Sequence, residues 1–323
     1  MFEQFTNSRV GRKCLGAYLL QSKRIWNYIP ARLRPTSDRV YGRHLHTVAR
    51  LQAERRQYFA TFFLRNRPEL KLISQLVAQR QHGSDLNLAI LACSKGAEVY
   101  SIAWSIRSVR PDLKLTIRAV DISEEIVQFA KAGIYSLGDT RNESVDCDGV
   151  QVGHTSDLNR NTARDQNAWI FERMTREEID AMFDIDGQKA SVKAWLRSGI
   201  EWISGDAGTP GIAEAIGLQD IVIANNFLCH MKPAAAGNCL RNIVRIVKPG
   251  GFLFVSGIDL NVRTKLAREL GWTPVTDLLR EIHEGDVSLR RGWPFEYWGL
   301  EPFEDRHDWR VRYCSVFQIG ESP

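Results

Sequence analysis

The six cysteines, at positions 14, 93, 147, 229, 239 and 314, include no CxxC pair. Scattered thiols without metal-ligand spacing argue against a zinc site and a disulfide frame, and fit reduced cysteines in a cytoplasm. No apolar run approaches the ~18 residues that span a bilayer, so no membrane span is expected. The opening MFEQFTNSRVGRKCLGAYLL sets basic side chains inside its apolar stretch and has no small-residue cleavage site after a clean hydrophobic segment. That is not the pattern of a signal peptide. Internal repeats and low-complexity tracts are missing. Neither a glycine-flanked aromatic strand nor a zinc knuckle is present, so nucleic acid is not an expected partner. There is also no GxGxxG, which argues against a dinucleotide whose pyrophosphate needs close backbone approach.

What the chain does have is the composition of a folded globular protein: 323 residues, 44% hydrophobic and 25% charged. That length suffices for about two domains, or one with large additions. The net charge of +5 hides an asymmetry. Residues 1–60 hold 12 Lys/Arg against 3 Asp/Glu, and the remainder holds 31 against 35. A basic leading segment is either a solvated helical face or an attraction for an acidic partner.

Residues 38–80 read mainly as helix, with Val40, Leu45, Val48, Leu51 and Phe59 at roughly helical spacing. Pro68 begins another helix, running through Val77. At residue 86 the pattern changes. LNLAILAC is a short strand, SKGAE a loop and VYSIAWSIRSV a helix. KLTIRAVD is a second strand ending in Asp121, and SEEIVQFAKAGIY a second helix, capped by Ser123 with Glu124 and Glu125 at its positive end. This βαβα order predicts a parallel sheet covered by helices. Residues 136–200 read as an insertion, polar and irregular at first, then helical at TREEIDAMF and ASVKAWL. IEWISGDA, LQDIVIANNFL and GFLFVSG are further strands, with a helix at AAAGNCLRNIVRIV and a turn at KPGG. The tail offers helices near 262–270 and 275–283, then two strands around FEYWGLEPF and RVRYCSVFQI, spaced for an antiparallel hairpin at the sheet edge.

Ligands of open parallel sheets sit beyond the carboxyl ends of the strands. Four segments converge there: the SKGAE loop, Asp121, the GDA loop after the third strand, and Asn225/Asn226 after the fourth. A loop that opens a helix frees backbone N–H groups, which attract negative charge. Asp121 lies 25 residues beyond Gly96. A carboxylate there either accepts bonds from both hydroxyls of a ribose or is a capping or surface aspartate. A cofactor with an amino-acid end, such as S-adenosylmethionine, is compatible with a loop holding a single glycine.

LACSKGAEVYSIAWSI resembles the first motif of the chemotaxis-receptor methyltransferases, the CheR family, whose pattern is A-C-S-T-G-E-E-P-Y-S. The likeness continues in order. RAVDIS…AKAGIY resembles the family's A-T-D-I…A-x-x-G-x-Y. IVIANNFLCHM stands where the family has C-R-N-V-x-I-Y-F, and IVKPGGFLFVSG resembles L-K-P-G-G-x-L-x-x-G. Upstream, YFATFFLR resembles T-x-F-F-R. Together these span about residues 55–260 and imply a class I, Rossmann-like methyltransferase fold that uses S-adenosylmethionine and releases S-adenosylhomocysteine, with no metal. Carried over residue by residue, the resemblance implies that Ala92, Ser94, Gly96 and Glu98 line the methionine end. Asp121 holds the ribose, with Ile122 beside it. Asp206 and Ala207 stand near the adenine, and Asn225 and Asn226 border cofactor and acceptor. The chemistry implied is in-line displacement at the sulfonium methyl, where placement of the acceptor lone pair is the main contribution.

The departures fall on the acceptor side. The family's arginine in T-x-F-F-R is replaced by Leu64, with Arg65 one place later as a catalytic candidate. The aromatic hydroxyl of I-Y-F is replaced by His230. An unperturbed histidine titrates near pH 6.5, so His230 is either a base for a hydroxyl, amine or thiol, or a ring bonded to backbone behind the pocket. Cys229 reads as packing. In the tail, Trp293, Tyr297, Trp298 and Trp309 form either an acceptor wall or the packing of the edge hairpin. His283 and Glu284 could reach a pocket, and the HxH pair His44/His46 is poor support for a metal.

The expected organisation is a basic helical segment at 1–82 and a methyltransferase domain at 83–323 with an insertion at about 136–200. The expected function is methyl transfer to a small molecule or non-standard acceptor. Two alternatives stay open. One is protein-glutamate O-methylation of an acidic receptor docked through the basic segment. The other is a module that binds S-adenosylmethionine without transfer.

Overall fold

In a computed structural model of the chain, the described residues are 9–30, 33, 38–50, 61–137, 168–286, 293–295 and 300–320. The chain forms two compact units that interleave along the sequence: residues 1–57 with 207–323, and residues 58–206. The first unit opens with helix α1 (Arg9–Asn27), a π-helical turn at Asp38–Gly42 and helix α2 (Arg43–Arg50). Leu19 of α1 and Leu45 of α2 are buried against each other, with Trp26, Tyr41 and Val48 packed on them. Leu51 and Phe59, part of the helical expectation, lie outside the described residues.

The second unit begins where Pro68 predicts, with α3 (Arg67–Ala78) capped by the Asn66 side chain, which accepts the Glu69 N–H at 3.3 Å. Strand β1 (Asp85–Leu91), helix α4 (Ala97–Val109), strand β2 (Lys114–Asp121) and helix α5 (Glu124–Ala132) follow in the expected order. The Ser123 hydroxyl accepts the Ile126 N–H and caps α5 as its position predicts. β1 and β2 run parallel, paired from Asp85–Lys114 to Leu91–Val120. Leu86 and Leu88 to Leu91 are all buried, as in a strand covered on both faces.

The insertion holds more sheet than expected. Strand β3 (Ile134–Ser136) is followed by helix α6 (Arg176–Met182) and strands β4 (Phe183–Asp186) and β5 (Lys189–Val192). α6 carries a capping box, with Thr175 and Glu178 each satisfying the other's backbone. The helix expected at ASVKAWL divides: Lys189–Val192 is a strand and only Ala194–Arg197, α7, is helical. The hairpin of β4 and β5 turns at Gly187-Gln188, where Gly187 supplies the positive φ, 57°, that a two-residue hairpin loop requires. β3, β5 and β4 form a separate antiparallel sheet, and Phe63 packs on Tyr135, Phe171 and Phe183 at 5.0–5.3 Å between ring centres. Residues 138–167 lie outside the described residues.

Strand β6 (Ile200–Ser204) returns to β2 and pairs with it in parallel, giving the order β6–β2–β1. Gly199 turns the chain into β6 at φ +64°, and a Cβ there would run into the Leu115 carbonyl oxygen. Gly199→Ala is expected to destabilise the protein by about 1–3 kcal/mol, read from urea unfolding. An unchanged midpoint would contradict this backbone path.

Beyond residue 207 the first unit resumes with helix α8 (Ile212–Ile216), strand β7 (Gln219–Ile223), helix α9 (Pro233–Val244) and strand β8 (Val247–Phe254). Helix α10 (Leu260–Glu269), the short strand β9 (Thr273–Pro274), helices α11 (Leu279–Gly285) and α12 (Trp309–Arg312) and strand β10 (Val316–Gln318) complete it. β7 and β8 are parallel, but Gln219 faces Val247 while Ile221 faces Phe252. The KPGG turn is thus an outward bulge inside β8, with Gly250 at φ +75°.

The hairpin expected between FEYWGLEPF and RVRYCSVFQI does not form. Residues 300–303 carry no strand, and 296–299 lie outside the described residues. β10 pairs antiparallel with β8 and with β9, in the order β7–β8–β10–β9. The physical reason is burial. Val316 and Phe317 are almost wholly inaccessible, which a strand paired on both edges provides and a peripheral hairpin does not. The overall class is the expected Rossmann-like α/β fold with a helical N-terminal segment. No helix among the described residues is long and apolar enough to cross a membrane.

Candidate active site

In the second unit, the loop from Ala92 to Gly96 leaves β1 with its backbone bent three times into the left-handed region: Ala92 at φ 55°, Ser94 at 50° and Gly96 at 83°. Non-glycine residues hold such angles only when surroundings over-determine them, and they cluster at functional sites. Here the Cys93 N–H donates to Val120 O at 2.9 Å, and the Ser94 N–H to Asp121 Oδ2 at 2.8 Å. The Tyr135 hydroxyl donates to Lys95 O at 2.6 Å. Gly96 opens α4 where a Cβ would press on Ala130 and Trp202 at 3.1 Å.

Asp121 ends β2 and is 4% exposed. Its Oδ2 accepts from Ser94 and its Oδ1 accepts the Ser123 N–H at 3.2 Å. A carboxylate offers about four acceptor positions, so one stays open on each oxygen. Two adjacent hydroxyls fit that arrangement. The Gly205 N–H donates to Asp121 O at 2.8 Å, which brings the GDA loop to the same strand end. Glu98, in the first turn of α4, and Asp206 are half-buried, while Ile122 is 45% exposed. Burial and the Asp121 charge push the Cys93 thiol well above its ordinary range, so it is no thiolate. Arg65 and Arg173 flank the Phe62 ring at 5.9 and 4.5 Å, and Arg173 Nη1 donates to Arg65 O at 2.6 Å. Leu64, where the resemblance has arginine, is buried at φ 53°, and its N–H donates to Ser101 Oγ.

In the first unit, Asn225 and Asn226 follow β7. Asn225 Oδ1 accepts from both the N–H and the hydroxyl of Ser256, at 2.9 and 2.8 Å. Asn226 sits at φ 62° with its N–H on Ser256 O, and its buried Oδ1 finds no hydrogen-bond partner among the described residues. Gly257 lies so close that a Cβ would meet Asn226 Cα at 2.6 Å. The Cys229 N–H donates to Gly257 O at 2.7 Å, and His230 ends the short 3₁₀ turn Leu228–His230, half-buried. Ala207 is buried at the start of its segment. Ser256 and Gly257 were not singled out as site residues, because Ser-Gly after a strand carries no specific sequence signal. His283 is buried, its Nε2 2.9 Å from Glu301 O, and it packs on Phe303 and Tyr313. His44 meets the Tyr18 hydroxyl and His46 stacks on Trp293. Tyr297 and Trp298 lie outside the described residues. Among the described residues no group of three His, Cys, Asp or Glu could hold a metal ion.

Residues 60–145 match the family model described as the CheR methyltransferase SAM-binding domain. Residues 170–255 match a second model, described as a methyltransferase domain. The chain is an S-adenosylmethionine-dependent methyltransferase. The first match covers the bent loop, Asp121 and α5, and the second covers Asp206, Asn225, Asn226 and His230. No curated protein matches this methyltransferase. Among solved structures it is similar to the N-methyltransferase NodS of Bradyrhizobium japonicum WM9 in complex with S-adenosyl-L-homocysteine. The identity is 14% over 65% of this chain and 76% of that one, with a TM-score of 0.33. It is also similar to the magnesium protoporphyrin IX methyltransferase ChlM of Synechocystis PCC 6803 with bound SAM. That identity is 14% over 64% of this chain and 71% of that one, with a TM-score of 0.32. A third likeness is to the CcbJ methyltransferase of Streptomyces caelestis, at 13% identity over 59% of this chain and 52% of that one, with a TM-score of 0.31.

Proposed function

We propose that this methyltransferase acts on a small-molecule acceptor. The observation that carries the reading is Leu64. A buried aliphatic side chain stands where the receptor-methylating pattern has a cation, so that position offers no positive charge to a receptor carboxylate. S-adenosylmethionine supplies a methyl group on a positively charged sulfur. In this reading Asp121 receives the two ribose hydroxyls on its open acceptor positions. Ala92, Ser94, Gly96 and Glu98 flank the methionine end, and Ile122, Asp206 and Ala207 the adenine. Asn226 Oδ1, a buried acceptor without a partner among the described residues, faces demand for a donor from cofactor or acceptor. Asn225 acts through its position, since Ser256 already occupies its carbonyl oxygen. His230 takes the proton of a hydroxyl, amine or thiol acceptor, and Arg65 is the second catalytic candidate.

A second reading, protein-glutamate methylation, draws on the CheR-type domain and on α1. That helix carries Arg9, Arg12, Lys13, Lys23 and Arg24 and no acidic residue. The test is incubation with methyl-labelled cofactor and two acceptor pools, a low-molecular-weight metabolite extract and acidic helical receptor fragments. Label is expected in the first pool. Label on receptor glutamates would overturn the small-molecule reading in favour of the second. Binding of S-adenosylhomocysteine with no transfer to either pool would make the chain a binding module.

A further inference from the structure

Asn226 Oδ1 is buried and makes no hydrogen bond among the described residues, although Asn226 as a whole is only half-buried. We infer that the methyl acceptor is an amine: one of its N–H groups donates to Asn226 Oδ1 while its nitrogen lone pair takes the methyl group. The inference rests on the small-molecule reading above and names the class of acceptor.

The carbonyl is fixed in place. Asn226 stands at φ 62° and donates its N–H to Ser256 O at 3.1 Å. The Cys229 thiol donates to Asn226 O at 3.9 Å. Gly257, at φ 59°, packs so closely that a Cβ would come within 3.0 Å of Asn226 Oδ1. Backbone held in this region persists where its surroundings over-determine it. A buried acceptor without a donor is costly, and in native structures such an atom marks strain, catalysis or a bound partner. Asn226 follows the carboxyl end of β7, the end at which open parallel sheets hold their ligands.

The number of protons separates the candidate acceptors. A hydroxyl or thiol carries one. Once that proton goes to His230, as in the reading above, none is left for Asn226 Oδ1. An ionised carboxylate carries none at all. A primary amine carries two, one for each group, and keeps a lone pair for the methyl. The step balances. The nitrogen lone pair forms the N–C bond, and the C–S pair returns to sulfur, leaving neutral S-adenosylhomocysteine. The nitrogen, now positive, passes one proton to His230 and keeps the other on Asn226 Oδ1.

The local charge agrees. Residues 224–231, with Ser256 and Gly257, contain no Asp, Glu, Lys or Arg. No side-chain cation of this stretch attracts an anionic acceptor. No carboxylate of this stretch holds the amine as an ammonium ion, which has no lone pair to give.

The test runs the labelled-methyl assay with the full chain on a metabolite extract divided in two. One aliquot is treated with the N-hydroxysuccinimide ester of acetic acid and then with hydroxylamine, which leaves amines acetylated and hydroxyls, thiols and carboxylates free. The other receives the hydrolysed reagent and hydroxylamine. Label is expected to fall at least tenfold in the acetylated aliquot. Label that survives acetylation would assign a hydroxyl, thiol or carboxylate and overturn the inference alone. No label in the control aliquot would remove the small-molecule reading, and the inference with it. Asn226→Gly, which suits the positive φ and removes the carbonyl, should lower turnover on the control aliquot by about tenfold or more at saturating S-adenosylmethionine. Its affinity for S-adenosylhomocysteine, read by calorimetry, should stay within about threefold of the parent, since the carbonyl serves the acceptor. A glycine variant that turns over like the parent, or that loses cofactor affinity instead, would overturn the assignment of Asn226. If that variant fails to fold, the comparison of the two aliquots on the parent chain still decides.

Discussion

Replacing Asp121 by Asn is expected to weaken S-adenosylhomocysteine binding by about 100-fold or more. The argument starts from the two backbone N–H groups that already hold the carboxylate, from Ser94 and Ser123. The amide keeps one carbonyl oxygen and turns the other position into a donor. One of the two N–H groups then faces an NH₂ group instead of an acceptor. On the ligand side, one ribose hydroxyl loses its partner and the other loses a charge-assisted bond. Hydrogen bonds to charged groups contribute about 1.5–3 kcal/mol each, so losing one and weakening the other costs roughly 3 kcal/mol. At about 1.4 kcal/mol per decade this is a hundredfold. Because the Ser94 N–H also helps to hold the bent loop, thermal unfolding without ligand should show a smaller loss, of about 1–2 kcal/mol. Calorimetry giving an affinity within threefold of the parent would remove Asp121 from the cofactor site.

The second large effect concerns His230. If it accepts the acceptor's proton, His230→Ala should lower turnover by about 100-fold or more, the usual contribution of a positioned base. Affinity for S-adenosylhomocysteine should change little, because the 3₁₀ turn is held by backbone bonds from Cys229 to Gly257 and from His230 to Phe227. Turnover against pH then discriminates. The parent should lose activity as the imidazole becomes protonated below its titration point, and the alanine variant should lose that acid limb. Added imidazole should restore part of the rate. A variant that loses cofactor affinity but turns over normally once saturated would make His230 structural.

The parallel half of the fold was legible because strong local signals agree with each other. The apolar run before SKGAE, the second strand ending in Asp121 and the Ser123 cap each predict the same βαβα unit, and the structure has all three. Other elements were hidden for identifiable reasons. Val316 and Phe317 read as a hairpin strand because alternation does not say which strand a segment pairs with. Ala190–Val192 read as helix because its apolar residues run on into Ala194 and Leu196, and the Gly187-Gln188 turn that separates β4 from β5 carries a weak signal. The cofactor-side expectations rest on motif order. The acceptor side has no such guide, since Leu64 and His230 are where the motifs depart from the pattern they resemble.

The discontinuity of the first unit bears on how the chain matures. Arg43 and its partner Glu304 are 261 residues apart. Ribosomes add about 5–20 residues per second, so α1 and α2 emerge roughly 13–50 s before the segment that pairs with them exists. During that interval Leu19 and Leu45 have no tail residues to cover them, while the intervening unit of residues 58–206 can already assemble. The amino-terminal helices are therefore made first and docked last, and their dense positive charge keeps them soluble in the meantime.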